Sequence, residues 1–130
     1  MDSKKDKQPF ILWSRLTKSF VYAWHGIKKA WKYEQNFRIH SVVTALVFIF
    51  AQVLNVPLTE QAILAVMAGG VLALELINTA IERTVDLMVR QYDTRAKVIK
   101  DTAAGAVFVF SLAAALVGVL IFLPKIIALF

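Results

Sequence analysis

The sequence contains no cysteine and few charged residues for its length. The absence of cysteine excludes a disulfide framework and a thiolate metal site. Charged residues make up 18% of the 130 positions, whereas a soluble domain carries about 25%. Apolar residues make up 58%, which is more than the core of a small domain can bury. The composition therefore predicts an integral membrane protein.

Several other signatures are also missing from the sequence. We find no internal repeat, no low-complexity stretch and no compact signal peptide with a small-residue cleavage site. Neither a Walker A pattern nor a kinase glycine-rich loop is present. The net charge of +6 would suit nucleic acid only if a soluble binding face carried it. We therefore predict no nucleic-acid partner.

We expect a single domain with an all-α integral membrane fold. After a flexible start at residues 1–9, the first helix is predicted over residues 10–33, where apolar side chains recur every three or four positions. Basic residues lie on or beside its other face, as in an amphipathic helix at a membrane surface. A core helix of a soluble bundle is the alternative. The apolar positions are Trp13, Leu16, Phe20, Trp24, Ile27 and Trp31.

Three apolar stretches are predicted to cross the membrane, because each is close to the roughly 20 residues that span the hydrocarbon. They are residues 39–58, 62–81 and 102–123. A turn at Pro57 separates the first two spans, and Thr59 is the predicted N-cap of the second. Three glycines are predicted to allow close helix packing. They are Gly69, Gly70 and Gly105.

Basic residues are distributed unevenly along the chain. Nine of the fifteen lie between Lys4 and Arg38, none lies in 39–81, five lie in 83–100 and one is Lys125. The positive-inside rule then predicts that the N-terminus and the second loop are cytoplasmic and that the C-terminus is outside. The basic charge is thus interpreted as a signal for topology and lipid contact.

The second span carries polar residues on one face. Glu75, Asn78, Glu82 and Asp86 are separated by steps of three, four and four, which place them on one helical stripe. Ionisable residues inside a membrane span are expensive and by default indicate function. Carboxylates and an amide could bind a divalent cation together with phosphate oxygens. Alternatively, Glu82 and Asp86 only end the span and meet lipid headgroups.

Two more polar clusters are predicted at the same cytoplasmic boundary. Glu34 follows the surface helix, and Lys100 and Asp101 stand at the entrance of the third span. A lysine beside an aspartate suits a phosphate together with a metal or a ribose hydroxyl. The alternative is that Lys100 extends to the interface and Asp101 favours the helix dipole.

These residues resemble the prokaryotic diacylglycerol kinase family, which consists of small membrane kinases with three spans and an N-terminal surface helix. The resemblance extends from about Arg15 to the end of the third span. It rests on the Glu75-Asn78-Glu82-Asp86 stripe and on Ala96-Lys-x-x-Lys100-Asp101. Other residues that match the family are Trp24, Gly26, Trp31, Glu34, Phe37 and Arg38.

The resemblance implies MgATP-dependent phosphorylation of a lipid hydroxyl in a bacterial cytoplasmic membrane. It also implies a homotrimer with sites between helices of neighbouring subunits. Glu75 resembles the general base, and Asn78 resembles a polar residue that supports it. Glu34 and Glu82 resemble the pair that holds the Mg²⁺ bridging the ATP phosphates. The residues that match nucleotide or substrate contacts are Arg15, Tyr22, Gln91, Tyr92, Asp93, Lys100 and Asp101.

The family has two main branches, which act on undecaprenol and on diacylglycerol. The segment from Glu34 to His40 resembles the undecaprenol kinases, since the diacylglycerol branch tends to carry an acid at the position of His40. Undecaprenol is therefore the predicted substrate and diacylglycerol the alternative. A proton-coupled transporter or channel would explain Glu75, and a scaffold would explain the stripe as a helix-association device.

Overall fold

The computed structural model describes residues 9–130, and the predicted flexible start therefore lies almost wholly outside the described residues. The described part of the chain folds into four α-helices. They are α1 (Trp13–Tyr33), α2 (Gln35–Val53), α3 (Leu58–Met88) and α4 (Thr94–Ile127). The prediction of an all-helical chain is confirmed.

The last three helices are long and apolar enough to cross a membrane, as the sequence predicts. Two of them exceed the predicted spans, because α3 has 31 residues and α4 has 34. At 1.5 Å per residue, α3 is about 46 Å long, against about 30 Å of hydrocarbon. Both helices therefore continue beyond the hydrocarbon, and their polar ends lie outside it.

The turn between α2 and α3 differs from its prediction. Helix α2 ends at Val53, so the stretch predicted to end at residue 58 stops being helical five residues earlier. Asn55 has a φ of 51°, a left-handed conformation that asparagine tolerates better than most residues. The prediction of Thr59 as N-cap is wrong, because Pro57 occupies the N-cap position and Leu58 is already helical. With its φ of −58°, Pro57 is preorganised for the entry into a helix.

Helices α3 and α4 form the main packed pair, and α2 lies against α3. At the end of the bundle near the Pro57 turn, a small apolar cluster is buried, consisting of Ala51, Val56, Leu64 and Ile121. Lys125 Nζ lies 2.7 Å from Glu60 Oε2 and links the beginning of α3 to the end of α4. This end of the molecule is thus held by packing and one ion pair.

Most large apolar side chains remain exposed within one chain. In α1 only Ala30 is buried, and Trp13 and Phe20 are 74% and 71% exposed. The outward faces of α2 and α4 also carry exposed valine, leucine and phenylalanine side chains. Surfaces of this extent require a lipid bilayer or other copies of the chain.

One of the three glycines meets another helix closely. A Cβ atom at Gly70 would overlap the ring of Phe110 on α4, so the predicted close packing is confirmed there. A Cβ atom at Gly69 or Gly105 would have no neighbour within 4 Å. The absence of a side chain at Gly70 therefore leaves room for the Phe110 ring between α3 and α4.

We expect Gly70→Ala to be less stable than Gly69→Ala in thermal unfolding of the detergent-solubilised protein. Both variants gain the same helix propensity, so their difference isolates the clash with Phe110. Overpacking of this kind costs about 1–3 kcal/mol. Equal unfolding temperatures for the two variants would show that the Phe110 ring moves aside without a penalty.

Candidate functional site

The polar stripe of α3 extends from the interior of the bundle to its end. Glu75 is buried, with 4% of its surface exposed, whereas Asn78 and Glu82 are half-buried and Asp86 is near the end of the helix. From Glu75 to Glu82 the rise along the helix is about 10 Å. The stripe therefore connects a buried carboxylate with the more accessible end of α3.

Glu75 faces α2 and α4 across a small polar cavity. Its Oε1 lies 3.2 Å from Nε2 of His40 on α2. The cavity has a volume of about 230 Å³ and is also lined by Asn36, Asn78 and Ser111. Several hydrogen-bonding side chains thus surround the one buried carboxylate of the stripe.

Two atoms around this cavity have no hydrogen-bond partner among the described residues. Asn78 donates from Nδ2 to Glu82 Oε1 at 2.9 Å, but its Oδ1 is buried and unpaired. The hydroxyl of Ser111 is also buried and unpaired. Buried polar atoms normally have partners, so this cavity offers hydrogen-bonding capacity to water or to a bound hydroxyl.

Glu34 lies at the break between α1 and α2. Its backbone is extended, with φ −107° and ψ 111°, and its Oε1 accepts a hydrogen bond of 3.1 Å from Arg83 Nη2 on α3. The contact joins Glu34 to Arg83, the residue that follows Glu82 on α3.

Lys100 and Asp101 have different partners in the structure. Lys100 forms an ion pair with Asp86 at the end of α3, while Asp101 pairs with Lys97 one turn earlier on α4. The two residues predicted as a nucleotide pair therefore stand near the end of α3 and the beginning of α4, and Lys100 joins the α3 stripe through Asp86.

The loop between α3 and α4 is mostly exposed. Gln91 and Tyr92 project from it, and Asp93 is the N-cap of α4. The Asp93 carboxylate accepts hydrogen bonds from the Arg95 guanidinium at 2.9 Å and from the Arg95 backbone N–H at 2.8 Å. These bonds lower the pKa of Asp93. Within the chain, Asp93 therefore serves as the N-cap of α4.

Arg15 and Tyr22 are not brought to the stripe within one chain. Both lie on the exposed part of α1. Arg15 is 15 residues before Ala30, the one buried residue of α1, and so about 22 Å from it along the helix axis. Within residues 9–130, no side-chain hydrogen bond or ion pair joins either residue to the stripe.

The donor groups fit Mg²⁺ shared with a nucleotide better than a free-standing metal site. Within residues 9–130, no three His, Asp or Glu side chains converge to hold a metal ion. Mg²⁺ typically takes one or two protein carboxylates and completes its shell with phosphate oxygens and water. The predicted pair consists of Glu82, on the stripe, and Glu34, which contacts Arg83, the residue after Glu82.

His40 and Arg83 were not predicted as site residues. His40 on α2 contacts Glu75 on α3, and Arg83 on α3 contacts Glu34 between α1 and α2, so no sequence spacing connects the partners. Arg83 follows Glu82 directly, and adjacent helical residues do not face the same direction. Only the three-dimensional structure reveals these two contacts.

Comparison with known proteins gives consistent matches. Residues 21–122 match a family described as prokaryotic diacylglycerol kinase. The chain is 42% identical to an undecaprenol kinase of Bacillus subtilis (strain 168), over 96% of this chain and 99% of that protein. It is 43% identical to a diacylglycerol kinase of a Synechocystis species, over 85% of this chain and 64% of that protein. A diacylglycerol kinase of Escherichia coli (strain K12) is 30% identical, over 74% and 79% respectively.

Proposed function

We propose a lipid kinase function for this chain, which belongs to the prokaryotic diacylglycerol kinase family. The reaction transfers the γ-phosphate of ATP to the hydroxyl of a membrane lipid alcohol. The observation that carries the proposal is the buried Glu75 carboxylate. It belongs to the apolar helix α3 and faces a polar cavity between α2, α3 and α4. In this proposal a lipid hydroxyl enters the cavity from the bilayer. A transporter or a scaffold would leave the residues predicted to bind nucleotide without a role.

Glu75 is the general base in this proposal. It accepts the proton of the lipid hydroxyl as the hydroxyl oxygen attacks the γ-phosphorus and the bond to the β-phosphate oxygen breaks. A positioned base of this kind typically contributes about 10²–10⁴-fold. Asn78 supports the site by donating a hydrogen bond to Glu82, which leaves its buried Oδ1 free to accept one.

Glu34 and Glu82 would hold Mg²⁺ together with the ATP phosphates. When bound, the ion neutralises phosphate charge, which is a main requirement of phosphoryl transfer. In this arrangement, the Arg83 guanidinium orients Glu34 and the Asn78 amide orients Glu82. Both carboxylates are thus held in place by hydrogen-bond donors on α3.

The nucleotide is proposed to bind at the end of the bundle that carries the second loop. Lys100 supplies a positive charge there. In the proposal, an ATP phosphate replaces the Asp86 carboxylate as the partner of Lys100. The other proposed contacts surround the same end or approach it from α1. They are Arg15, Tyr22, Gln91, Tyr92, Asp93 and Asp101.

We further propose that the working unit is a homotrimer with sites shared between subunits. The exposed apolar faces of α2 and α4 support an assembly. The position of Arg15, about 22 Å from the packed part of α1, supports a contact between this residue and a site in a neighbouring subunit. Helix α1 is proposed to lie on the membrane surface with its tryptophan rings in the interface.

The proposed orientation places the N-terminus and the nucleotide site in the bacterial cytoplasm and the C-terminus outside. The distribution of basic residues supports it. The ATP supply of the cell is then on the same side as Glu82, Lys100 and the second loop. The end with the Lys125–Glu60 ion pair faces the exterior.

Undecaprenol is the proposed lipid. The undecaprenol kinase of Bacillus subtilis matches 96% of the length of this chain. In addition, the Glu34–His40 segment resembles the undecaprenol kinase branch. Diacylglycerol is the second candidate, favoured by the 43% identity to the Synechocystis diacylglycerol kinase.

Exchange of Glu34 or Glu82 for glutamine should greatly weaken the use of MgATP without unfolding the bundle. If the two carboxylates hold one ion, the double variant should lose little more than either single variant, because they act as a unit. Lipid phosphorylation at varied Mg²⁺ measures this effect. Glu60→Gln, at the opposite end of α3, is the control; losses that multiply in the double variant would count against a shared metal.

Glu75→Gln tests chemistry separately from binding. It keeps the shape of the side chain and removes the base, so turnover should fall by about 10²–10⁴-fold. Binding of MgATP should change little, because the proposed nucleotide residues remain intact. Measurement of both quantities on one purified variant decides the assignment. If activity survives, or if MgATP binding is lost with turnover, Glu75 is not the base.

A further inference from the structure

We propose that His40 is a positioning residue that holds the Glu75 carboxylate toward the polar cavity. The inference rests on the proposed function, in which Glu75 is the base. It concerns a contact between α2 and α3 that no sequence motif connects. His40 is not assigned to the metal or to the nucleotide, and it acts on the reaction through Glu75.

The first argument is the contact itself. His40 Nε2 lies 3.2 Å from Glu75 Oε1, and within residues 9–130 it is the one ion-pair partner of that carboxylate. A buried carboxylate is costly unless it is paired or hydrogen-bonded. An imidazole carries a proton on Nε2 in its charged form and in one of its two neutral tautomers, so an N–H can face the Glu75 carboxylate in both.

The second argument compares the partners of three carboxylates, those of Glu75, Glu82 and Glu34. The amide of Asn78 donates to Glu82, one turn further along α3, and Arg83 donates to Glu34. Glu82 on the stripe and Glu34 at the break between α1 and α2 therefore each have a donor from α3. Glu75 has a partner from α2 instead, so its orientation depends on the packing of α2 against α3.

The third argument is the position of His40 between two cavities. It lines the polar cavity of about 230 Å³ beside Glu75. It also lines an apolar cavity of about 360 Å³ between α2, α3 and α4. The imidazole therefore fills space directly beside the Glu75 carboxylate, and its removal would give the flexible Glu75 side chain rotamers that point away from the reacting hydroxyl. Holding one rotamer avoids that loss of orientation.

The test compares two replacements of His40. His40→Leu removes the donor and approximately preserves the volume, while His40→Gln places an amide N–H close to the position of Nε2. We expect His40→Leu to lower kcat by about 10²-fold, the effect of a misplacement of about 1 Å, with KM for MgATP within twofold of wild type. His40→Gln should recover most of the lost turnover. A purely structural role would not separate kcat from KM in this way.

Two controls complete the design. Thr44→Val lies one turn along α2, removes a hydroxyl that bonds only the His40 carbonyl, and should leave kcat unchanged. In a Glu75→Gln background, His40→Leu should cause no further loss, because the residue acts through Glu75. His40→Ala, with MgATP binding as the measure of folding, replaces His40→Leu if that variant fails to fold.

The outcomes separate this inference from the proposed function. Wild-type transfer to a lipid alcohol and its loss in Glu75→Gln are measured first, and failure of either refutes the proposed function. If both hold, three results would overturn the role of His40. They are unchanged kcat in His40→Leu, no recovery in His40→Gln, and a loss that multiplies with that of Glu75→Gln.

Discussion

The structure depends on the cost of placing a carboxylate inside a membrane helix. A lipid alcohol stays in the bilayer and ATP stays in water, so a kinase that joins them needs acidic groups at the boundary between the two media. An ionisable side chain in hydrocarbon is stable only when it faces the protein interior and has a partner. Glu75 meets both conditions, because it is buried in the bundle and paired with His40.

Helix α3 is long enough to extend from the hydrocarbon of the bilayer into water. Its 31 residues exceed the hydrocarbon thickness, and its polar stripe continues from Glu75 to Asp86. In the proposed mechanism, the buried end meets the lipid hydroxyl and the accessible end meets ATP. Helices α3 and α4 approach closely at Gly70 and are joined by an ion pair at each end. One of these pairs places Lys100 beside the stripe.

Much of this arrangement could be predicted from the sequence, because it depends on periodicity along single helices. The apolar runs predict three long helices, and steps of three and four residues place Glu75, Asn78 and Glu82 on one face. The end of α2 at Val53 was not predicted, since it depends on the left-handed conformation of Asn55. Contacts between helices, such as His40–Glu75 and Arg83–Glu34, depend on how the helices pack, and no local pattern encodes them.

The central claim is that the chain transfers phosphate from ATP to a lipid alcohol, with undecaprenol preferred. The most direct measurement is transfer of labelled phosphate from ATP to undecaprenol and to diacylglycerol, side by side in mixed micelles with the purified protein. The account predicts a labelled lipid that requires both Mg²⁺ and a lipid alcohol and that forms faster with undecaprenol. No labelled lipid from either alcohol would contradict the kinase function, and faster labelling of diacylglycerol would contradict the choice of substrate.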